Sequence, residues 1–265
     1  MDLGFKGKAA LVTGAGSQIG FGKAIALLLA KEGCDAVAVT DINLSNVQKT
    51  TEAVKKLGSK SIAVKADITK RDEVDAMVKK VIDEYGKIDI LCNVAGAILH
   101  KDNTPLEVQQ DEIWGKQISL NLFGTMSVTR AVLPHMKERK YGVIVNIGSG
   151  STRQYGMGVG MYAISKYALD LFTKQLAFVE GKAGIRVNCV APGPAPTNFG
   201  AVLREGMPEM PPEQMKKMRE AMMSAFPLGR MGTATDIANI TVLMASDVTG
   251  YVTGQVLQVS GGNVM

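Results

Sequence analysis

The feature that most constrains this chain is an alternation of two patterns. Short runs of β-branched and apolar residues recur along it, each followed by a longer segment of helical periodicity. The runs are Ala9 to Thr13, Ala36 to Thr40, Ser61 to Val64, Ile88 to Leu91, Val143 to Ile147, Ile185 to Val190 and Gln255 to Val259. They are apolar throughout instead of alternating with polar residues, as strands covered on both faces should be. The helical segments fall at about 23–32, 44–57, 70–85, 105–137, 159–182 and 233–245, several of them opened by an Asn, Thr or Ser cap. A parallel sheet between two layers of helix accommodates both patterns.

Right-handed crossovers between parallel strands then predict an α/β fold of the Rossmann type: a doubly wound, seven-stranded parallel sheet with helices on both faces. A length of 265 residues with 46% hydrophobic content is within the range of one such domain, so residues 1–265 are read as a single unit. The regularity breaks at about 197–228, where Pro208, Pro211 and Pro212 interrupt a Met-rich stretch with its own short helix from Glu213 to Ala225. An excursion of that length in a compact domain reads as lid-like.

Composition excludes several classes. The net charge is +5, but the lysines are scattered in pairs such as Lys55-Lys56 and Lys79-Lys80, and Lys137 to Lys140 reads as a cationic helix end. No motif for nucleic acid accompanies them. No apolar run approaches the roughly 18 residues of a membrane span, and the start has no signal-peptide pattern, so a cytoplasmic protein without membrane contact is expected. Cys34, Cys92 and Cys189, with His100 and His135, have no metal-ligand spacing; reduced thiols and no metal are expected.

The first run is followed by Thr13-Gly14-Ala15-Gly16-Ser17-Gln18-Ile19-Gly20-Phe21-Gly22 and then directly by a helix. Glycines let backbone approach a pyrophosphate at the positive end of a helix, and strand, glycines, helix and second strand occur here in that order. Gly14, Ser17, Gln18, Ile19 and Gly20 are the candidate phosphate contacts. Asp41, with Ile42 after it, closes the second strand 21 residues beyond Gly20, where a carboxylate can accept bonds from ribose hydroxyls. Asp41 repels a 2′-phosphate, and no Arg or Lys stands nearby to receive one, so the cofactor is read as NAD.

Ser149 follows the fifth run, and Tyr162 lies 13 residues later on a helix with Lys166 one turn beyond. A free phenol titrates near 10, whereas an adjacent ammonium favours the phenolate and makes it a usable general acid and base. Ser149 is expected to hold the substrate oxygen while hydride passes between substrate carbon and nicotinamide.

With these residues in hand, the sequence resembles the short-chain dehydrogenase/reductases over essentially its whole length. Their Asn-Asn-Ala-Gly element appears as Asn93-Val94-Ala95-Gly96, and their adenine-cradling pair as Asp67-Ile68. The resemblance implies a catalytic tetrad of Asn121, Ser149, Tyr162 and Lys166, in which Asn121 bends a helix and binds a water linked to the lysine. It also implies that Pro192, Gly193, Ala195 and Thr197 hold the nicotinamide, and that Asn93, Ala95 and Gly96 belong to the cofactor site. Three departures stand out. The glycine loop reads two residues longer than the common Thr-Gly-x-x-x-Gly-x-Gly, Val94 replaces the second family Asn, and Gly148 precedes the serine.

The resemblance also implies a substrate pocket lined by residues just after the serine, just before the tyrosine, and in the excursion. Arg153, Gln154, Met157 and Met161 are therefore candidate substrate contacts, with Tyr155 and the methionines 207, 210, 215, 218, 222 and 223 available to an apolar ligand. Three functions remain. The first is an NAD(H)-dependent oxidoreductase interconverting a secondary alcohol and its ketone; the second is a 3-oxoacyl-thioester reductase of the acyl-carrier or coenzyme A kind. The third is a non-catalytic dinucleotide sensor, against which the intact Ser/Tyr/Lys set argues. Apolar helices from Trp114 to Met136 and Val159 to Lys182 imply, with the resemblance, a homotetramer or dimer.

Overall fold

A computed structural model describes residues 1–99, 106–154, 160–197 and 226–264, together with residues 199, 213, 214, 220, 223 and 224. Seven strands, β1 (Ala9–Thr13), β2 (Ala36–Asp41), β3 (Ala63–Lys65), β4 (Ile90–Asn93), β5 (Gly142–Ile147), β6 (Ile185–Pro192) and β7 (Val256–Val259), form one sheet. Its order is β3-β2-β1-β4-β5-β6-β7, and every pairing is parallel. The doubly wound α/β fold expected from the alternation is therefore the fold observed. Strand order reverses between β1 and β4, which opens a crevice at their carboxyl ends.

Neighbouring strand residues face opposite layers, so each strand serves two cores. Val12, Val37 and Val145 pack under α1 (Phe21–Lys31), α2 (Leu44–Lys55) and a late helix, α7 (Ala234–Ala245), through Ile25, Leu29, Val47 and Val242. Leu11, Leu91 and Ile144 face the other way and meet Val74, Val81, Val128 and Val132. Those residues come from α3 (Arg71–Tyr85) and α5 (Thr125–Glu138). Each such side chain removed from water contributes about 1.5–3 kcal/mol.

The segment expected to be one helix at 105–137 is several pieces. A single 3₁₀ turn, Leu106–Val108, precedes α4 (Asp111–Ile118), and a π-helical turn, Ser119–Gly124, joins α4 to α5. Next comes α6 (Gly160–Glu180), 21 residues long. α7 starts at a reciprocal cap, in which Thr233 Oγ1 accepts from the Asp236 N–H and the Asp236 carboxylate accepts from the Thr233 N–H. Most of the excursion at 197–228, including its expected helix from Glu213 to Ala225, lies outside the described residues. Among the described residues no helix is long and apolar enough to cross a membrane.

Candidate active site

A cavity of about 610 Å3 runs along the carboxyl edge of the sheet, from the ends of β1 and β2 to those of β5 and β6. Gly14 opens its floor. The residue has φ +66°, and a Cβ there would lie 2.7 Å from the backbone of Ala95, so only glycine lets the loop after β1 lie against the chain after β4. Thr13 fixes that juxtaposition, its hydroxyl accepting from the Val94 and Ala95 N–H groups at 3.0 and 3.1 Å.

At one end stands Asp41. Its Oδ2 accepts from the Gly16 N–H at 2.9 Å and its Oδ1 from the Asn43 N–H at 3.1 Å. A carboxylate has about four lone-pair directions, so each oxygen keeps one for a ligand hydroxyl. Ile42, Asp67 and Ile68 complete this end, while Ser17 and Gly20 face the cavity at the N-terminus of α1. The Ser17 hydroxyl is buried without a hydrogen-bond partner.

At the other end, β5 delivers Ser149, whose Oγ accepts from the Ser151 N–H at 3.1 Å and lies 2.9 Å from Ser151 Oγ. Ser149 stands close enough to the Tyr162 hydroxyl to act as its hydrogen-bond partner and lower its pKa. Lys166, one turn further along α6, donates from Nζ to the Ile147 carbonyl at 2.8 Å, which leaves two of its N–H groups. Both side chains are buried. Asn121 sits in the π-helical turn with its amide closed on Ala97: Oδ1 accepts from the Ala97 N–H, and Nδ2 donates to the Ala97 carbonyl, each at 3.0 Å. A Cβ on Gly96 would lie 2.7 Å from Asn121 Oδ1 and 3.3 Å from Lys166 Nζ, so this glycine keeps open the gap between them.

The electrostatics correct one expectation. Burial raises the Tyr162 phenol above its ordinary value and outweighs the lowering effect of the Ser149 hydrogen bond. Burial also pushes the Lys166 ammonium down, to about 8, and its Nζ stands 6.0 Å from the centre of the tyrosine ring. In the ligand-free chain the phenol is thus a neutral proton donor, and the lysine does not by itself make it a phenolate.

Of the residues picked out by sequence, Gly14, Ser17, Gly20, Asp41, Ile42, Asp67, Ile68, Ala95, Gly96, Ser149, Gln154, Tyr162, Lys166, Pro192, Gly193, Ala195 and Thr197 line this one cavity. Others do not. Asn93 lies behind the site, its Nδ2 donating to Thr129 and Asn146, where it ties β4 to α5 and β5. Gln18 turns its amide away toward α2, and Ile19 is exposed. Arg153 is exposed outside the cavity, with Asp170 nearby, and Met161 is buried in α6 away from it. Met157 and Tyr155 lie outside the described residues.

The loop length is also corrected. α1 begins at Phe21 with Gly20 as its cap, so Gly22 belongs to the helix, packed against the Gly14 carbonyl. Thr13 to Gly20 therefore has the common length, with Gln18 in place of the middle glycine. Sequence reading missed Ser151, Val264 and Phe199, all of which line the cavity. The Phe199 ring meets Tyr162 edge-on with centroids 5.5 Å apart. Only the nearness of Ser151 to Ser149 was a signal; nothing in the chain marks the other two.

A glycine-floored cleft, an unpartnered buried hydroxyl at a helix N-terminus and a carboxylate with spare lone pairs form a donor set that fits a dinucleotide. The chain belongs to the short-chain dehydrogenase/reductase family of oxidoreductases, whose members use a nicotinamide dinucleotide; a family model described as enoyl-(acyl carrier protein) reductase matches residues 14–263. Among its relatives is the BbsD subunit of a hydroxy(phenyl)methyl-succinyl-CoA dehydrogenase of Thauera aromatica, 38% identical over 98% of both chains. The 3-oxoacyl-(acyl-carrier-protein) reductase FabG of Thermotoga maritima is 36% identical over 98% of this chain and 99% of its own. A solved 7α-hydroxysteroid dehydrogenase, complexed with NADH and a 7-oxo bile acid, superimposes with a TM-score of 0.87 at 34% identity, covering 99% of this chain and 96% of that one.

Proposed function

We propose that this protein is an NAD(H)-dependent dehydrogenase that interconverts a secondary alcohol and its ketone, with Tyr162 as general acid and base. The observation that carries the reading is the single cavity that holds Asp41 at one end and the bonded pair of Ser149 and Tyr162, backed by Lys166, at the other.

Gly14, Ser17 and Gly20 would hold the pyrophosphate, Asp41 the adenosine ribose, Asp67 and Ile68 the adenine, and Pro192 to Thr197 with Ala95 and Gly96 the nicotinamide half. When bound, the nicotinamide supplies the hydride donor or acceptor and, in its oxidised form, a positive charge. In the direction of reduction, Tyr162 Oη gives its proton to the carbonyl oxygen while Ser149 Oγ donates a second hydrogen bond to that oxygen and aligns it. In the direction of oxidation, Tyr162 must first give up its own proton, a loss that the positive charge of a bound oxidised nicotinamide would favour, and as phenolate it takes the hydroxyl proton. Lys166, with two N–H groups left free by the Ile147 carbonyl, would hold a ribose hydroxyl and pass a proton toward solvent through the gap beside Gly96, with Asn121 fixing that corner of the chain. Catalysis by a neutral, buried phenol suits a water-poor pocket, and Phe199, Pro194 and Val264 make the substrate end largely apolar.

A second reading, reduction of a 3-oxoacyl thioester, is favoured by the names of two relatives, a dehydrogenase of a coenzyme A thioester and a 3-oxoacyl carrier-protein reductase. Both readings share one reacting group, a secondary alcohol. The test is a turnover screen with NAD and NADP against cyclic, steroid, polyol and 3-hydroxyacyl-CoA alcohols and, with NADH and NADPH, against the matching ketones and 3-oxoacyl thioesters. Oxidation of a secondary alcohol with NAD supports the proposal; turnover confined to 3-oxoacyl thioesters with NADPH replaces it with the second reading. Absence of turnover with every member of the panel defeats both.

The exposed apolar residues Phe123 and Met126, with Ile164, Tyr167, Leu171 and Phe178 of α6, support assembly into a dimer or tetramer through these helices.

A further inference from the structure

We infer that Gln18 and Thr50 form a side-chain clamp that sets the cofactor preference of this enzyme without touching the cofactor. The inference rests on the reading of Asp41 as the ribose ligand, and it begins with the replacement of the middle loop glycine by glutamine.

The Gln18 amide is used at both ends. Its Nε2 donates to the Gly16 carbonyl at 2.9 Å and to the Asn46 carbonyl of α2 at 3.0 Å, and it reaches Thr50 Oγ1 at 3.5 Å. Its Oε1 accepts from the Lys23 ammonium at 2.8 Å. Thr50, wholly buried on α2, donates from Oγ1 to the Ala15 carbonyl at 2.8 Å. Two consecutive loop carbonyls, Ala15 and Gly16, are thus held from behind by two side chains.

The consequence follows from the planarity of the peptide. The Ala15 carbonyl and the Gly16 N–H belong to one rigid trans unit and point in opposite directions. A hydroxyl that fixes the carbonyl on the α2 side therefore aims the N–H at the other side, where it meets Asp41 Oδ2. The approach is close: a Cβ on Gly16 would come within 2.6 Å of the Asp41 carboxyl carbon. Hydrogen bonds in such a chain polarise one another, so the Thr50 hydroxyl strengthens the bond that holds the carboxylate. The position of Asp41, and with it the acceptance of ribose hydroxyls and rejection of a 2′-phosphate, depends on the clamp. Gln18 and Thr50 are positioning residues; neither lines the cavity.

The test compares NADH and NADPH binding by calorimetry to the full chain and to Thr50→Val, Thr50→Ser, Gln18→Met and Gln18→Gly. Wild type should prefer NADH. Thr50→Val and both Gln18 variants should lose on the order of tenfold in that preference, the scale set by one net hydrogen bond, through weaker NADH binding. Thr50→Ser, which keeps the hydroxyl, should restore it. A merely structural role would weaken both nucleotides alike and leave their ratio unchanged, which overturns the clamp; should Thr50→Val fail to fold, the Gln18 variants decide by the same ratio. A wild type that binds NADPH as well as NADH overturns the NAD reading of Asp41 itself, a separate failure from an unchanged ratio in the variants.

Discussion

Tyr162 and Lys166 show how a short motif acquires its chemistry from burial. Tyr162→Phe removes the phenolic proton beside Ser149, and it should lower kcat by about 10²–10⁴ with the fold retained, as steady-state rates and circular dichroism would report. Lys166 has a folded-state pKa of about 8 against an ordinary 10.5. Below pH 8 folded and unfolded chains both hold the proton, and the folded state carries the whole cost of the buried ammonium. Between about 8 and 10.5 only the unfolded chain holds it, so stability rises with pH. Wild-type stability, measured by denaturant against a Lys166→Met reference, should therefore climb by about 3 kcal/mol across that window and level off above it. A flat difference would show that the amine is not desolvated. At the far end of the cavity, Asp41→Ala should narrow the preference for NAD over NADP, read as the ratio of the two kcat/KM values, because it removes the acceptor of ribose hydroxyls and the repulsion of a 2′-phosphate together.

The elements were legible where period and burial agreed. β1, β5 and β6 run apolar because both faces are covered, and α7 carries its cap in Thr233 and Asp236. β3 was misplaced by two residues because Ser61 hydroxyl-bonds the Val37 carbonyl at the sheet margin instead of starting the strand proper. The π-helical turn at Ser119–Gly124 was signalled only through the resemblance, which implied a bend at Asn121, since a one-residue slip in hydrogen bonding does not disturb an apolar stripe. Gly22 misled for a different reason. It looks like the end of a phosphate loop but serves helix packing, and Gly22→Ala would drive a methyl group into the Gly14 carbonyl and the Ala15 backbone. That variant should lower the melting temperature and weaken dinucleotide binding together, as thermal unfolding with and without NADH would show. In the site, the lining residues were readable because each belongs to a motif; Asn93 and Gln18 belong to motifs too, yet the Asn93 Nδ2 and the Gln18 amide are taken up by neighbouring elements, and only the folded structure reveals that. Phe199 was invisible because a lone aromatic outside any periodic segment of the sequence has no period to betray its partner.

At the scale of the whole molecule, the outer face of α6 is what remains unaccounted for by the sheet. Phe178 is 87% exposed and Tyr167, Leu171 and Ile164 are each more than half exposed along the same helix. Phe178→Glu should shift the sedimentation profile toward smaller species, whereas an unchanged profile would move the interface elsewhere. The cavity, too, is a property of the entire chain. Its walls draw on Gly14 early in the sequence and on Val264 late in it, whose carbonyl takes the Ser260 hydroxyl, while Asn263 is tied to Gln154, which lines the same cavity as Ser149. The cavity is therefore complete only when residues 260–264 have docked beside Gln154, so loosening that one bond should open a wall that neither the glycine loop nor β5 supplies.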